Sequence, residues 1–177
     1  MNSSISPAPS AAPVRSRLER LVTVTIGAFE RIPNSLVALV ARFSIAAVFW
    51  NSGQTKVEGL AINLVNGEFS LGWPRLSGSA LALFQDEYKL PLVPPELAAP
   101  MAVAAEHLFP LLILIGLGTR FSALALLGMT LVIQTLVYPG AYATHGTWAA
   151  VFLYLMVHGP GAFSVDHWIA GRHGGTR

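Results

Sequence analysis

Apolar residues are concentrated in four runs separated by polar, glycine-rich or proline-rich breaks, a pattern typical of membrane-spanning helices. The runs cover about residues 35–53, 96–118, 121–138 and 147–158. A bilayer core needs about 20 apolar residues per helix, so the last run makes a short span. The pattern predicts an all-α integral membrane protein, a four-helix bundle that occupies residues 33–170.

The segments before the first run predict a tail and a surface helix. Residues 1–17 are rich in Ser, Ala and Pro, which predicts a disordered tail. Residues 18–32 follow with one apolar face, which predicts an amphipathic helix lying on the membrane surface. A signal peptide is the competing interpretation, but no convincing cleavage site follows. The residues at helical spacing are Leu18, Leu21, Val22, Ile26 and Phe29.

Residues 54–95 differ from the rest because they mix glycines, prolines and both charges without a continuous apolar run. We expect a long folded loop outside the membrane, and loops of this length often have a function. Within it, a short helix is predicted with Ser77 or Ser79 as its N-cap. Near the C-terminus, Ser164 is expected to cap a brief helix before a basic tail at residues 171–177.

Composition favours the bilayer as the solvent of this chain. Hydrophobic residues make up 53% and charged residues 11%, whereas soluble domains carry about 25% charged residues. The absence of cysteine excludes disulfides, thiolate catalysis and cysteine-ligated metal centres on this chain. No basic run is interleaved with aromatics, so nucleic acid is not an expected partner. The sequence predicts no metal site and no evident cofactor.

The distribution of basic residues predicts the orientation of the bundle. If both termini face the cytoplasm, seven basic residues lie inside and three lie in the outer loop, which agrees with the positive-inside rule. The prediction is therefore N-in and C-in, in a bacterial cytoplasmic membrane. The inner set is Arg15, Arg17, Arg20, Arg31, Arg120, Arg172 and Arg177, and the outer set is Lys56, Arg75 and Lys89.

Two charged residues fall inside predicted spans, where each costs about 2.5–3.5 kcal/mol to insert. Counting along helices places Arg42 roughly 10 Å and Glu106 roughly 18 Å above the inner face, a gap that a long arginine can mostly bridge. The sequence therefore predicts an Arg42–Glu106 ion pair, with a structural and a catalytic role equally open.

Pro110 marks the same stretch as unusual. It removes the hydrogen bond to the Glu106 carbonyl and predicts a kink that opens space beside the acid. His107 either shares that space as a ligand-binding group or faces another span or lipid, and the latter is the simpler interpretation. A bis-histidine haem is disfavoured because His107 and His158 are poorly matched in depth.

The exit of the first span supplies a second group of candidates, in the stretch "FWNSGQTKVEG". Lys56 and Gln54 have donors for a lipid headgroup, a quinone oxygen or an anionic substrate. The alternative is a helix end with a snorkelling lysine. In the third span, Gln134 is better explained by an interhelical hydrogen bond than by ligand binding. Gly118 is predicted to allow close packing.

The chain resembles the DoxX family of small four-helix bacterial membrane proteins, over about residues 36–170. The resemblance is carried by "ARFSIAAVFWNSGQTKVEG", "AAEHLFPLLILIGLGTRFSALAL" and "GPGAFSVDHWI". They match a first helix with an internal arginine and a small-Gly-x-x-Lys exit, then a Glu-containing helix with a Gly-x-x-Thr-Arg break. The matching positions are Arg42, Lys56, Glu106 and Arg120, and Gly53 belongs to the exit motif.

The resemblance implies a multi-pass membrane subunit of a redox system, because family members are associated with quinone-linked oxidoreduction and oxidoreductase complexes. Quinone is the implied ligand, and a soluble oxidoreductase or a second copy of the chain is the implied partner. In this interpretation Glu106 relays a proton or holds the quinone oxygen, and Arg42 tunes its charge. The alternatives are a non-catalytic anchor for a partner enzyme or for metal or peptide handling, and a small-solute transporter.

Overall fold

The computed structural model describes residues 16–63 and 67–173, which belong to two compact units that divide after Pro33. Most of the predicted disordered tail and the last residues of the basic tail lie outside the described residues. Ser16 and Arg17, assigned to the tail by sequence, instead begin the first helix.

The first unit contains helix α1, Arg17–Phe29, close to the predicted surface helix. A reciprocal capping box starts it: the Ser16 hydroxyl accepts from the Glu19 amide at 3.2 Å, and the Glu19 carboxylate accepts from the Ser16 amide at 3.0 Å. No residue of α1 is buried, and its apolar side chains are exposed. Its position on a membrane surface stays a prediction.

The second unit is built on four long helices that pack against one another. Their core is aliphatic and aromatic and includes Ile45, Phe49, Ile113, Leu126 and Phe152. The helices of this unit are α2 (Asn34–Gln54), α3 (Gly78–Ala82), α4 (Pro95–Ile115), α5 (Thr119–Val132), α6 (Tyr142–His158) and α7 (Val165–His173).

Three helical segments are long and apolar enough to cross a membrane, namely Asn34–Gln54, Pro95–Ile115 and Thr119–Val137. The last of these continues α5 through a π-helical turn, Ile133–Val137. The fourth helix, α6, has 17 residues, which rise about 25 Å against a hydrocarbon core of about 30 Å. A helical membrane protein is therefore confirmed, and the fourth span stays a prediction.

The prediction of an all-α chain is wrong in the segment between α2 and α4. This segment forms an antiparallel hairpin of β1 (Val57–Asn63) and β2 (Glu68–Leu76), in which Val57 pairs with Leu76. Each strand mixes apolar and charged residues with glycine, so neither has the continuous alternation that identifies a strand from sequence. Their pairing supplies the backbone hydrogen bonds that each strand lacks alone.

Short helical turns follow the hairpin and close this segment against α4. The Ser77 hydroxyl accepts from the Ala80 amide at 3.1 Å and caps α3, as predicted. A π-helical turn, Leu83–Tyr88, continues α3 and buries Phe84 against Ala98 and Ala99 of α4. The predicted loop is thus an ordered cap on the amino-terminal half of α4.

Helix ends differ from the predicted bounds where backbone conformation decides them. Helix α4 stops at Ile115 because Gly116 adopts a left-handed conformation, φ 73°. Helix α6 begins at Tyr142, five residues early, because only Pro139–Ala141 forms the turn. The Ser164 hydroxyl accepts from the His167 amide at 3.2 Å at the start of α7, as predicted.

Candidate functional site

Lys56 and Glu106 form a buried ion pair between the end of α2 and the middle of α4. The Lys56 ammonium lies 3.0 Å from Oε1 and 2.9 Å from Oε2 of the Glu106 carboxylate. Their exposed fractions are 4% and 3%. The Ser52 hydroxyl donates to Glu106 Oε1 at 2.9 Å. Within residues 16–63 and 67–173 this is the one salt bridge. The Ser52 hydroxyl bonds to both partners, since it also accepts from the Lys56 ammonium at 2.9 Å.

The turn after α2 returns Lys56 to the helix bundle. Its amide donates to the Gly53 carbonyl at 3.0 Å, so the chain makes one further turn beyond Gln54. The ammonium then donates to the carbonyl of Ser52, one turn back, at 3.0 Å. Lys56 is therefore a buried partner of an acid, and the interpretation as a snorkelling lysine is wrong.

The arginine partner predicted for Glu106 is also wrong. Arg42 is buried, but its guanidinium donates only to backbone carbonyls: those of Ile113 at 2.8 Å, Leu114, Pro160 and Phe163. Glu106 is seven residues from Ile113 along α4, a rise of about 10 Å, which exceeds the reach of the side chain. The estimated heights of Arg42 and Glu106 assume that α2 and α4 both start at the inner face of the membrane. The two helices are offset along the bundle axis instead, which places Arg42 beside Ile113.

Arg42 instead holds three chain segments together. Its forked donors satisfy the last carbonyls of α4, where the helix dipole is negative, and two carbonyls of the segment before α7. Gly116 permits this arrangement, since a Cβ there would lie 2.9 Å from an Arg42 nitrogen. These contacts give Arg42 a structural role.

His107 lies beside the ion pair, and both of its ring nitrogens are hydrogen-bonded. One ring nitrogen, Nδ1, is 2.7 Å from the Val103 carbonyl, which only accepts, so Nδ1 carries the proton. The other, Nε2, is 2.9 Å from Gln54 Nε2 and accepts from it. The Gln54 amide is oriented by the Ile62 amide, which donates to its oxygen at 2.8 Å. His107 is therefore fixed by the hairpin through Gln54.

Gly53 makes this close approach possible. A Cβ at this position would lie 2.7 Å from His107 Cε1 and 3.1 Å from Glu106 Cβ. The Trp50 indole packs edge-on against His107, with ring centroids 5.0 Å apart, and donates to the Ile62 carbonyl at 2.9 Å. One turn of α2 thus aligns the hairpin, the histidine and the acid.

Two tyrosines, Tyr88 and Tyr138, lie next to each other near the exposed carboxylate of Glu87. Burial raises the pKa of Tyr88, and the negative charge of Glu106 adds to the increase. The ring of Tyr88 meets that of Tyr138 edge-on at 5.8 Å. The Tyr138 hydroxyl donates to the exposed Glu87 carboxylate, and this bond raises the pKa of Tyr138. Both phenols therefore remain protonated at neutral pH, and the Tyr138 hydroxyl is the donor to Glu87.

Gln134 contacts a histidine that sequence reasoning missed. Its amide oxygen accepts from His145 Nδ1 at 2.6 Å, and its nitrogen donates to the Pro139 carbonyl at 2.7 Å. The interhelical hydrogen bond was the favoured interpretation of Gln134, and the structure has it. His145 was missed because it was assigned to a turn; it is 6% exposed in α6.

Pro110, Gly118 and Arg120, the remaining positions singled out by the sequence, lie away from the ion pair or make no polar contact with it. Pro110 is buried within an uninterrupted α4. A Cβ added at Gly118 would meet nothing within 4 Å, so close packing is wrong for it; its left-handed φ of 57° is the requirement. Arg120 is exposed and donates weakly to the Val157 carbonyl at 3.4 Å. In the described ranges no group of three acidic or histidine side chains is arranged to hold a metal ion.

Comparison with known proteins places the chain in a family. The DoxX family model matches residues 37–139, which is more than half of the chain and contains Arg42, Lys56, Glu106 and Arg120. Neither a curated protein nor a solved structure matches significantly. The matched region runs from α2 through α5 and includes the buried ion pair. The chain therefore belongs to the DoxX family of membrane proteins.

Proposed function

We propose that this protein is an integral membrane subunit of a quinone- or electron-transfer-linked redox system, and that the Lys56–Glu106 pair handles protons for quinone chemistry. The proposal rests on one observation, the buried ion pair closed by Ser52. Ionisable groups within membrane helices are costly and mark proton or substrate pathways. The family is often linked to redox systems, which supports the same assignment.

The chemistry suits a proton carrier. The pair has no net charge, so its insertion costs less than that of either ion alone. A proton moved from Lys56 to Glu106 leaves the pair neutral and keeps a hydrogen bond between them. Reduction of a quinone to a quinol consumes two protons and two electrons. Glu106 would pass on one proton at a time, and water at the membrane surface would reprotonate the pair between the two transfers. The electrons would come from a partner protein.

The neighbours of the pair extend this proposal. His107 has its Nε2 lone pair engaged only by the Gln54 amide, and a quinol hydroxyl can replace that donor. Tyr138 donates to the exposed Glu87 carboxylate, and its ring meets that of Tyr88, whose pKa is raised by burial and by the charge of Glu106. In this proposal the bundle is N-in and C-in with α6 as a fourth span, in a bacterial inner membrane.

Quinone binding to the purified full-length protein tests the proposal directly. Decylubiquinone quenches tryptophan fluorescence, and Trp50 contacts His107 at 5.0 Å between centroids. We expect saturable quenching that Trp50→Phe largely removes and that Glu106→Gln weakens about tenfold, the size of one charge-assisted hydrogen bond. The matched control is Glu58→Gln, an exposed carboxylate of β1. Equal quenching in both carboxylate variants would refute the proposal.

Native membranes provide the second readout. The charge-exchanged variant Lys56→Glu with Glu106→Lys keeps an ion pair but moves the carboxylate to the end of α2. If the pair is purely structural, this variant retains quinone-linked electron transfer. We expect it to fold, as measured by thermal unfolding in detergent, and to lose that activity, as Glu106→Gln does.

A second candidate function is a non-catalytic anchor for a soluble partner, and the hairpin favours it. Strand β2 is exposed along its whole length and displays apolar Phe69, Leu71 and Trp73, which are 66%, 84% and 83% exposed. Exposed apolar clusters of this kind mark contacts with proteins or membranes. Replacing all three with serine is expected to remove a constant protein companion from the native preparation. Retention of that companion would argue against the hairpin as its contact.

A further inference from the structure

A cavity of about 750 Å³ lies at the opposite end of the bundle from Lys56 and Glu106. It is formed where the start of α2, the start of α5 and the segment from the end of α6 into α7 converge. Its volume falls in the range of small-molecule sites, about 300–1,000 Å³. The quinone proposal does not use this cavity, so it needs a separate explanation.

The polar side chains of the cavity are mainly cationic or proton-donating. Arg120, His158 and His167 line it. Arg120 has no carboxylate within salt-bridge distance in the part of the chain that the structure describes. His158 Nδ1 donates to the Tyr154 carbonyl at 3.2 Å, which leaves Nε2 for another contact. Three nitrogen-bearing side chains thus face one space.

The single carboxylate of the cavity is already engaged. Asp166 Oδ1 accepts from the Gly118 amide at 2.8 Å, and Oδ2 accepts from the Thr119 amide at 3.0 Å. The charge of Asp166 also acts on the buried Arg42 guanidinium. Two backbone amides at the amino-terminus of α5 thus engage this carboxylate, and among the described residues Arg120 has no acidic partner.

One buried donor in the cavity lacks a partner. Thr119 is fully buried and lines the cavity, and its hydroxyl makes no hydrogen bond to any described residue. This hydroxyl has essentially no exposed surface, so the contacts that the cavity offers a ligand come from Arg120 and the two histidines. Beside it the lining is apolar, with Ala38, Phe121 and Ala170.

We propose that this cavity binds a phosphate group, carried by an anionic lipid headgroup or present as free phosphate. Arginine recognises phosphate oxygens through its forked donors, and His158 and His167 supply further N–H donors to an anion when their rings are protonated. Basic pockets between membrane helices bind such headgroups. The apolar lining beside the cations fits the glycerol and first acyl carbons of a lipid.

Native mass spectrometry of the delipidated full-length protein in detergent tests the site. The probes are phosphatidylglycerol, phosphatidylcholine with the same chains, and inorganic phosphate. We expect a one-to-one adduct with phosphatidylglycerol that Arg120→Gln weakens about tenfold, the effect of one lost charge-assisted contact. The matched control is Arg75→Gln, an exposed arginine in β2, which should bind as the wild type does.

The other arms separate the sources of the phosphate. Competition by inorganic phosphate with the same Arg120 dependence would support the site and identify free phosphate as sufficient. Dependence on the lipid alone would support the headgroup. Equal binding by Arg120→Gln and Arg75→Gln, or no adduct with any probe, would overturn the proposal.

Discussion

Arg42 in α2 and Lys56 in the turn after α2 are both buried cations, but they are stabilised in different ways. From the sequence, the first belongs to a membrane span and the second to the exit of that span. Lys56 meets a carboxylate and a hydroxyl, whereas Arg42 meets four backbone carbonyls. The first arrangement is neutral and can rearrange by moving one proton. The second keeps a permanent charge and fixes the ends of other elements. The comparison shows that a buried charge indicates a functional site only after its partners are known.

Replacing Arg42 tests the structural half of this comparison and has the largest expected effect. Arg42→Met leaves one buried and three part-buried carbonyls without their donor, and an unsatisfied buried group costs about 1–3 kcal/mol. We expect a loss of about 5 kcal/mol in the free energy of unfolding, measured by denaturation in mixed micelles. Arg42→Lys should recover only part of it because a lysine lacks the fork. A loss under about 1 kcal/mol would contradict the carbonyl contacts.

A double-mutant cycle at the ion pair has the next largest effect. Lys56→Met leaves Glu106 buried without a partner and should cost about 3–5 kcal/mol in the same assay. The double variant Lys56→Met with Glu106→Gln removes both charges and should lose less than the single variant. Additive losses would mean that the two side chains do not interact, contrary to their 2.9 Å separation.

Replacing glycines tests the packing beside the ion pair, and the expected changes in stability are smaller. Gly53→Ala places a methyl group 2.7 Å from His107 Cε1 and should cost about 1–3 kcal/mol by overpacking. The control is Gly128→Ala in α5, where nothing lies within 4 Å and helix propensity predicts a gain of about 0.5–1 kcal/mol. Equal effects at both positions would exclude a close approach at Gly53.

Particular elements show where sequence reasoning succeeds. The bounds of α2 and the start of α4 were predicted to within one residue, because the extent of an apolar run is a local signal. Capping is a local signal as well: Ser77 was one of two serines predicted to cap α3, and Ser164 was predicted to cap α7. The hairpin was not predicted, since its stability depends on pairing two strands that carry no strong signal alone.

The sequence by itself determined the membrane helices, the buried acid and the candidate residues around it. Apolar periodicity acts locally, so it identifies elements without knowledge of their neighbours. Only the tertiary structure decided which cation meets Glu106. That choice depends on the axial offset of α2 and α4 and on the turn after Gln54, which returns Lys56 to the bundle. Both follow from packing between distant segments, because a buried charge adopts the partner that the assembled fold brings within a few ångströms.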